Sequence, residues 1–494
     1  MDTRKDVILA DLKDTHNPLM PTQTTEEGHI SPLSLAESKR VLRKIDMCII
    51  PLFNAAGFAQ GSGKEIPEKD RFCNESHLTG SQYSWCSAVF YFGYLAWSWP
   101  SSYLIVRLPL GKYLALTVFI WGGILMCHGA CQGFASLMAA RFFLGVAEAA
   151  LAPGFALITG MFYTRKEQPI RQGAWWLGNA VANVIGGVVA HGIGQITTSP
   201  LQHWRLLFLI LGAVTSAYAF VLYLVLPDSP TKAIFLDERQ RQVALQRTIH
   251  NKTGLMDNDT FVTSQVMDAL RDPQIWLLVL YTVSVNLANG GLTSFSSIVV
   301  AGFGFTDLKA LLIQMPVGAA QLVFLLLTSG LASIIPSSRL VLMIFNTISS
   351  MVGMIMVYEL KGRAGRMGGL CLAAVFACNI PLSLSLISSN VGGFTKRSVA
   401  SATLFVAYCV GNIIGPQFFL ASQKPRYTTG LRASLSGLAL GAAFLICLLV
   451  YYISENRRRN RLYGASPPLS LDEELREDLS GKTDRELTDF RYVI

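Results

Sequence analysis

The sequence predicts an all-α membrane protein: a 12-helix (6+6) architecture in two bundles, with a truncated or atypical first helix and about eleven clear spans. Three observations carry this prediction. The 494 residues are 51% hydrophobic and only 15% charged, against about 25% charged in a soluble chain. The charges are also uneven. Forty-five of the 73 fall in three stretches (1–46, 227–273 and 454–494), so the other 360 residues carry 28. Such a surface suits lipid and not water. Thirdly, Lys and Arg gather on alternate connections between apolar runs, the pattern of a chain threaded repeatedly through a bilayer. These facts exclude a soluble enzyme, a fibrous protein and a disulfide-stapled secreted domain.

The elements follow in order. Residues 1–45 are polar and mixed in charge, without the profile of a cleavable leader, and read as a disordered cytosolic tail. A first bundle occupies 46–226. Its opening helix begins at Asp46, but the apolar part ends near Ala59 and runs into Gly61, Gly63, Lys64, Glu65, Glu68, Lys69, Asp70 and Arg71. About 13 apolar residues reach less than about 20 Å, too short for a core of about 30 Å. Full-length runs follow at 86–106, 113–134, 137–162, 173–195 and 206–226. A cytosolic loop at 227–274 contains an amphipathic helix starting at Leu236–Arg241. The second bundle, 275–453, has runs at 275–300, 308–332, 338–358, 367–389, 398–422 and 433–453, and 454–494 is a cytosolic tail. Arg107/Lys112, Arg165/Lys166/Arg171, the central loop, Arg339, Lys396/Arg397 and Arg457–Arg461 mark the cytosolic side. That assignment places Asn74-Glu75-Ser76, a glycosylation sequon, outside.

The net charge of +9 is spread between apolar runs and forms no nucleic-acid patch. Most of the nine cysteines lie inside apolar stretches without a CxxC pair, which suits helix packing better than metal or disulfide chemistry. No nucleotide-binding glycine loop, paired carboxylate or catalytic triad is present. No cofactor is expected, and neither is enzymatic activity. Transport, if that is the function, is then secondary.

An ionisable residue inside a span costs at least about 2.5–3.5 kcal/mol at the bilayer centre and is a functional candidate by default. Arg141 and Glu148 are the clearest pair. Seven residues are two helical turns, so both lie on one helix face about 10 Å apart. The Arg141 guanidinium matches a carboxylate in shape, and a poorly solvated carboxyl at Glu148 can exchange a proton. Bracing of neighbouring helices by the same two residues is the alternative. Asn179 and Asn183 lie one turn apart, Asn286 and Asn289 occupy the middle of the first run after the loop, and Asn412 falls within Gly411–Gln417. Each amide can bind a polar substrate or join helices. The Gly/Pro interruption at 411–417 points to a cavity. His128 and His191 read as packing histidines.

The chain resembles the major facilitator superfamily and, more narrowly, the anion:cation symporters of the fungal allantoate permease type. The likeness rests on Leu78–Trp85, Phe90–Leu95, Leu108–Lys112, Arg141–Gly145 with Glu148 and Pro153, Leu226–Pro230, Ser389-Asn390, Thr395–Arg397 and Gly411–Gln417. It implies proton-coupled import of an organic anion such as allantoate, nicotinate or pantothenate across the plasma membrane by a monomer. It further implies that Arg141 binds the substrate anion and Glu148 couples the proton. Residues 52–75 depart from the family pattern, which normally continues the first helix with an Asp followed by a basic residue. A lost coding segment, giving an inactive form, or an unusual short helix would both produce this. An exporter of a secondary metabolite has the same fold, and Gly186-Gly187 without a following proline leans towards symport. A nutrient sensor would need a longer signalling tail than 454–494.

Overall fold

The computed structural model describes residues 35–62, 82–164, 167–196, 201–249, 262–301, 314–335, 337–423, 427–464, 482–488 and 490–494. Of the disordered tail expected over 1–45, the part before Leu35 lies outside them, as do the sequon at Asn74 and the whole charged stretch 64–75, whereas residues 35–45 are helical. The first half contains α1 (Leu35–Ser62), α2 (Gln82–Arg107), α3 (Leu110–His128), α4 (Phe134–Glu148) with α5 (Leu151–Phe162), α6 (Gln168–Gly194) and α7 (His203–Val225). Two helices of the loop follow, α8 (Glu238–Ile249) and α9 (Thr263–Leu270). The second half has α10 (Pro273–Ala301), α11 (Gln314–Ile334), α12 (Arg339–Glu359), α13 (Arg363–Ala373) with α14 (Asn379–Asn390), α15 (Phe394–Ile414) and α16 (Thr428–Tyr463). Taking α4–α5 and α13–α14 as single rods, the described residues form two sets of six. Ten of these twelve rods are long and apolar enough to cross a membrane; α1 and α2 are not among them.

The first helix is atypical in where its length lies. It extends eleven residues before Asp46 and continues to Ser62, giving 28 residues and about 42 Å. Its buried stripe, Val41, Ile45, Ile49, Leu52/Phe53 and Ala56, repeats at intervals of three and four, and Gln60 continues it one turn further. Close approach to α6 holds it in place. A Cβ on Gly57 would stand 2.6 Å from the Trp175 carbonyl oxygen, and one on Gly178 would stand 2.1 Å from that of Asn54. The same device joins α2 to α4, where a Cβ on Gly145 would meet the Phe90 oxygen at 1.9 Å. Without a hydrophobic drive between helices in lipid, this backbone contact supplies the dispersion energy that holds the bundle.

At the basic face, each half carries its own ion pairs. In the first half Arg171 grips Asp46 through two nitrogens at 3.2 and 2.8 Å, while α8 binds back through Arg239–Glu37 (2.8 Å) and Arg247–Glu167 (2.7 Å). In the second half Lys396, at 0% exposure, is ringed by Asp272 (2.6 Å), Asp484 (2.7 Å) and Asp268 (2.9 Å). Asp484 belongs to the far C-terminal segment, which packs under the bundle. Asn390 exchanges two hydrogen bonds with the Val493 backbone, Arg339 N donates to the Ile494 oxygen, and Arg459 donates to the carbonyls of Asp484, Leu487 and Phe490. Burial raises the Asp484 carboxyl above the usual carboxylate range against the pull of Lys396. At Asp268, partial burial acts upward too, but hydrogen bonds and charge from Lys396 and Arg485 hold it below. Charge content alone marked 454–494 as a plain tail; this packing was not visible there.

Lys396→Met should leave buried carboxylates facing one another. A loss of about 3–5 kcal/mol is expected, read as a lower thermal midpoint in detergent and as faster proteolysis of residues 482–494; an unchanged midpoint and cleavage rate would refute the anchoring role.

Candidate functional site

The two halves meet along three seams. On α2 and α15, the Tyr91–Tyr408 and Tyr94–Phe405 rings pack with centroids 5.8 and 6.4 Å apart. Between α6 and α11, Asn183 Nδ2 donates to Gln321 Oε1 at 2.8 Å, and between α6 and α14, Ser388 Oγ donates to Gln168 Oε1 at 3.3 Å. Between these seams lies a cavity with about 800 Å³ of space free of atoms, open solvent included. Both halves line it. Eight aromatic rings dominate, among them Phe90, Tyr94, Trp175, Trp176 and Tyr408, and the polar groups are few: Gln60, Glu148, Thr282, Asn286 and Ser383. Glu148 is the one acidic or basic side chain besides tyrosine among the described lining residues.

Local sequence explains why Glu148 reaches the wall. It is the last residue of α4, and α5 restarts at Leu151. Pro153 has no N–H to give the carbonyl four residues back, so the ladder lapses at Ala149. Glu148 is 1% exposed, and its Oε1 accepts a hydrogen bond from Gln60 Nε2 at 2.5 Å. The fourth rod of the second half breaks at the matching level, with a 3-10 segment at Ala374–Cys378, Asn379 opening α14 and Pro381 two residues on. Asn379 is a node. Its Nδ2 donates to Tyr281 Oη (2.9 Å), the Met343 oxygen (3.0 Å) and Thr347 Oγ1 (3.1 Å), and its Oδ1 accepts from Asn346 Nδ2 (2.8 Å). Through Tyr281 this node reaches the cavity.

The other sequence candidates separate. Asn286 lines the cavity; Asn412 Nδ2 donates to its Oδ1 at 3.0 Å, and Asn289 Nδ2 donates to Asn412 Oδ1 at 2.8 Å, an amide chain joining α10 to α15. Asn183 binds across the seam, and the Asn179 backbone abuts α1. Neither residue is in the cavity lining. Arg141 shares the buried face of α4 with Glu148, as the seven-residue spacing requires. Its guanidinium lies 5.8 Å from the Phe208 ring of α7, it is 7% exposed, and it too stands apart from the cavity lining. His128 packs 5.2 Å from Phe208 with Nδ1 2.9 Å from the Ile124 oxygen. Sequence reasoning missed Gln60 and the aromatic wall. The stripe from Val41 to Ala56, continued by one turn, would have found Gln60. Among the described residues no cluster of His, Cys, Asp or Glu is placed to hold a metal.

Comparison with known proteins agrees with this architecture. The family model of the Major Facilitator Superfamily matches residues 47–416. An uncharacterized transporter of Schizosaccharomyces pombe is 34% identical over 93% of this chain and 86% of its own length. The allantoate permease of Saccharomyces cerevisiae is 30% identical over 95% and 89%, and the thiamine pathway transporter of that yeast is 29% identical over 92% and 86%. Among solved structures, a bacterial homologue of the human lysosomal transporter Spinster, inward-facing and occupied, overlays with TM-score 0.56 at 14% identity, covering 84% of this chain and 97% of that one. At that identity the overlay speaks for the fold.

Asn379→Leu should remove four hydrogen bonds from a buried node and leave the Asn346 and Tyr281 groups without them. We expect a loss of about 1–3 kcal/mol, measured as the thermal midpoint, with Asn346→Leu in the same background costing little more because the two share one network.

Proposed function

The chain belongs to the major facilitator superfamily as an allantoate permease-like membrane transporter, and we propose that it couples proton entry to uptake of a small organic anion across the plasma membrane, working as a monomer. One observation carries the reading: Glu148, 1% exposed, is the one acid among the described residues lining a cavity between two bundles. An ionised Glu148 repels an anion in that cavity. At about 5 Å and an effective permittivity near 20 the repulsion is roughly 3 kcal/mol, on the order of a hundredfold in binding. Protonation removes it. Anion and proton therefore enter together, and rocking of the two bundles about the cavity carries both across.

The remaining parts fit this scheme. Arg141, two turns from Glu148 on the same rod, supplies the positive charge that favours an anion over a cation. Asn286 and its amide partners Asn412 and Asn289 offer polar contacts from the second half, and Asn183, one turn from Asn179, bonds across the seam that the moving bundles share. The aromatic wall suits a solute with an apolar or planar body beside its carboxylate. The name of the yeast allantoate permease supports carboxylates as the first solutes to test.

The test is uptake of labelled allantoate, with a panel of other carboxylates, in a yeast lacking its own permeases. Glu148→Gln should abolish accumulation driven by an acidic medium while keeping solute exchange; an unchanged response to external pH would overturn the coupling role. Arg141→Ala should cut uptake at least about tenfold at equal surface level, and preserved uptake would sink the anion-binding role.

A further inference from the structure

We propose that Gln60 is the positioning residue for proton exchange at Glu148, its amide keeping a hydrogen bond to that side chain both when it is ionised and when it is protonated. The inference rests on the reading of Glu148 as proton carrier. Two observations support it. Gln60 is 7% exposed, lines the cavity, and donates from Nε2 to Glu148 Oε1 at 2.5 Å. It sits on the buried stripe of α1, whose register is set by backbone contact with α6 at Gly57 and Gly178, so the side chain is aimed at Glu148 by the packing of the helix.

The chemistry follows from the amide. A carboxylate is acceptor only, whereas a carboxylic acid also has an O–H to place. A buried polar group without a partner is expensive. Glutamine carries both functions on one terminal group: Nε2–H serves the ionised acid, and after a half-turn about its last bond Oε1 accepts from the protonated one. The proton can therefore come and go without either state losing its partner, and the end of α1 reports the state of α4. Other titratable groups near Glu148 are the hydroxyls of Tyr91 and Tyr94 from α2, with Tyr408 of α15 and Tyr281 of α10 lining the same cavity and Arg141 on the same rod.

The experiment is infrared titration of the purified full-length protein in phosphatidylcholine vesicles, with no solute added. The carboxylic-acid band that disappears in Glu148→Gln identifies the group. Gln60→Met keeps the shape and removes both amide functions; the midpoint of the band should then move up by about one pH unit, the excess of a hydrogen bond to the charged acceptor over one to the neutral acid. Gln60→Glu, which puts a second carboxyl in contact, should move it up further and serves if Gln60→Met does not fold. A midpoint unchanged to within a few tenths of a unit in the folded variants overturns the role of Gln60. If Glu148→Gln removes no band that titrates, the reading of Glu148 as proton carrier has failed instead.

Discussion

A carboxyl group buried in a low-dielectric wall must keep a hydrogen-bonding partner or a proton, and much of this molecule is arranged around that requirement at Glu148. The rod that bears it is interrupted directly after it, which turns the side chain to the cavity. The neighbouring helix α2 closes onto that rod through Gly93 and Gly145, where backbone meets backbone with no room for a methyl group. The first helix continues one turn beyond its apolar stripe to bring an amide to the carboxyl. Remove the requirement and these three features lose their common reason.

The second half answers with the same geometry and different chemistry. Its fourth rod also breaks midway, but the polar residue at the break is Asn379, tied to two other helices, α10 and α12, by amide and hydroxyl bonds. One broken rod thus presents a titratable group to the cavity and the other a fixed neutral network. In the proposed scheme the neutral network would hold its shape while Glu148 gains and loses a proton, so that the second half keeps its share of the aromatic wall in place.

Most of the architecture was legible in the sequence because lipid imposes a coarse code. Apolar runs separated by basic turns marked eleven rods and the loop between the halves; among the described residues ten of these are apolar enough to cross a membrane, and the run at 86–106 is a helix but not one of the ten. The spacing of Arg141 and Glu148 placed them on one buried face, which the helix confirms. What they face was not legible: Arg141 packs against α7, and Glu148 opens on the cavity, because the break at Ala149 and the neighbours on each side are tertiary facts. The first helix is atypical as expected, for α1 is not among the described helices long and apolar enough to cross a membrane; its glycine contact with α6 was not legible, because it is a tertiary fact. The docking of residues 482–494 was hidden for a similar reason. Its carboxylates, spread over a mixed-charge segment, acquire a meaning only beside Lys396.

That lysine serves two ends at two times. While the chain is being threaded into the bilayer, Asp484 has not yet been made, so Lys396 meets the insertion machinery as a basic residue in the first turn of α15 and weighs towards the orientation of that helix. Once the far segment has been made, Asp484 closes over the ammonium beside Asp268 and Asp272, and the cation disappears from the surface. A charge first used as an address becomes a fastening, and the second half of the molecule is complete only when its most distant described residues have arrived.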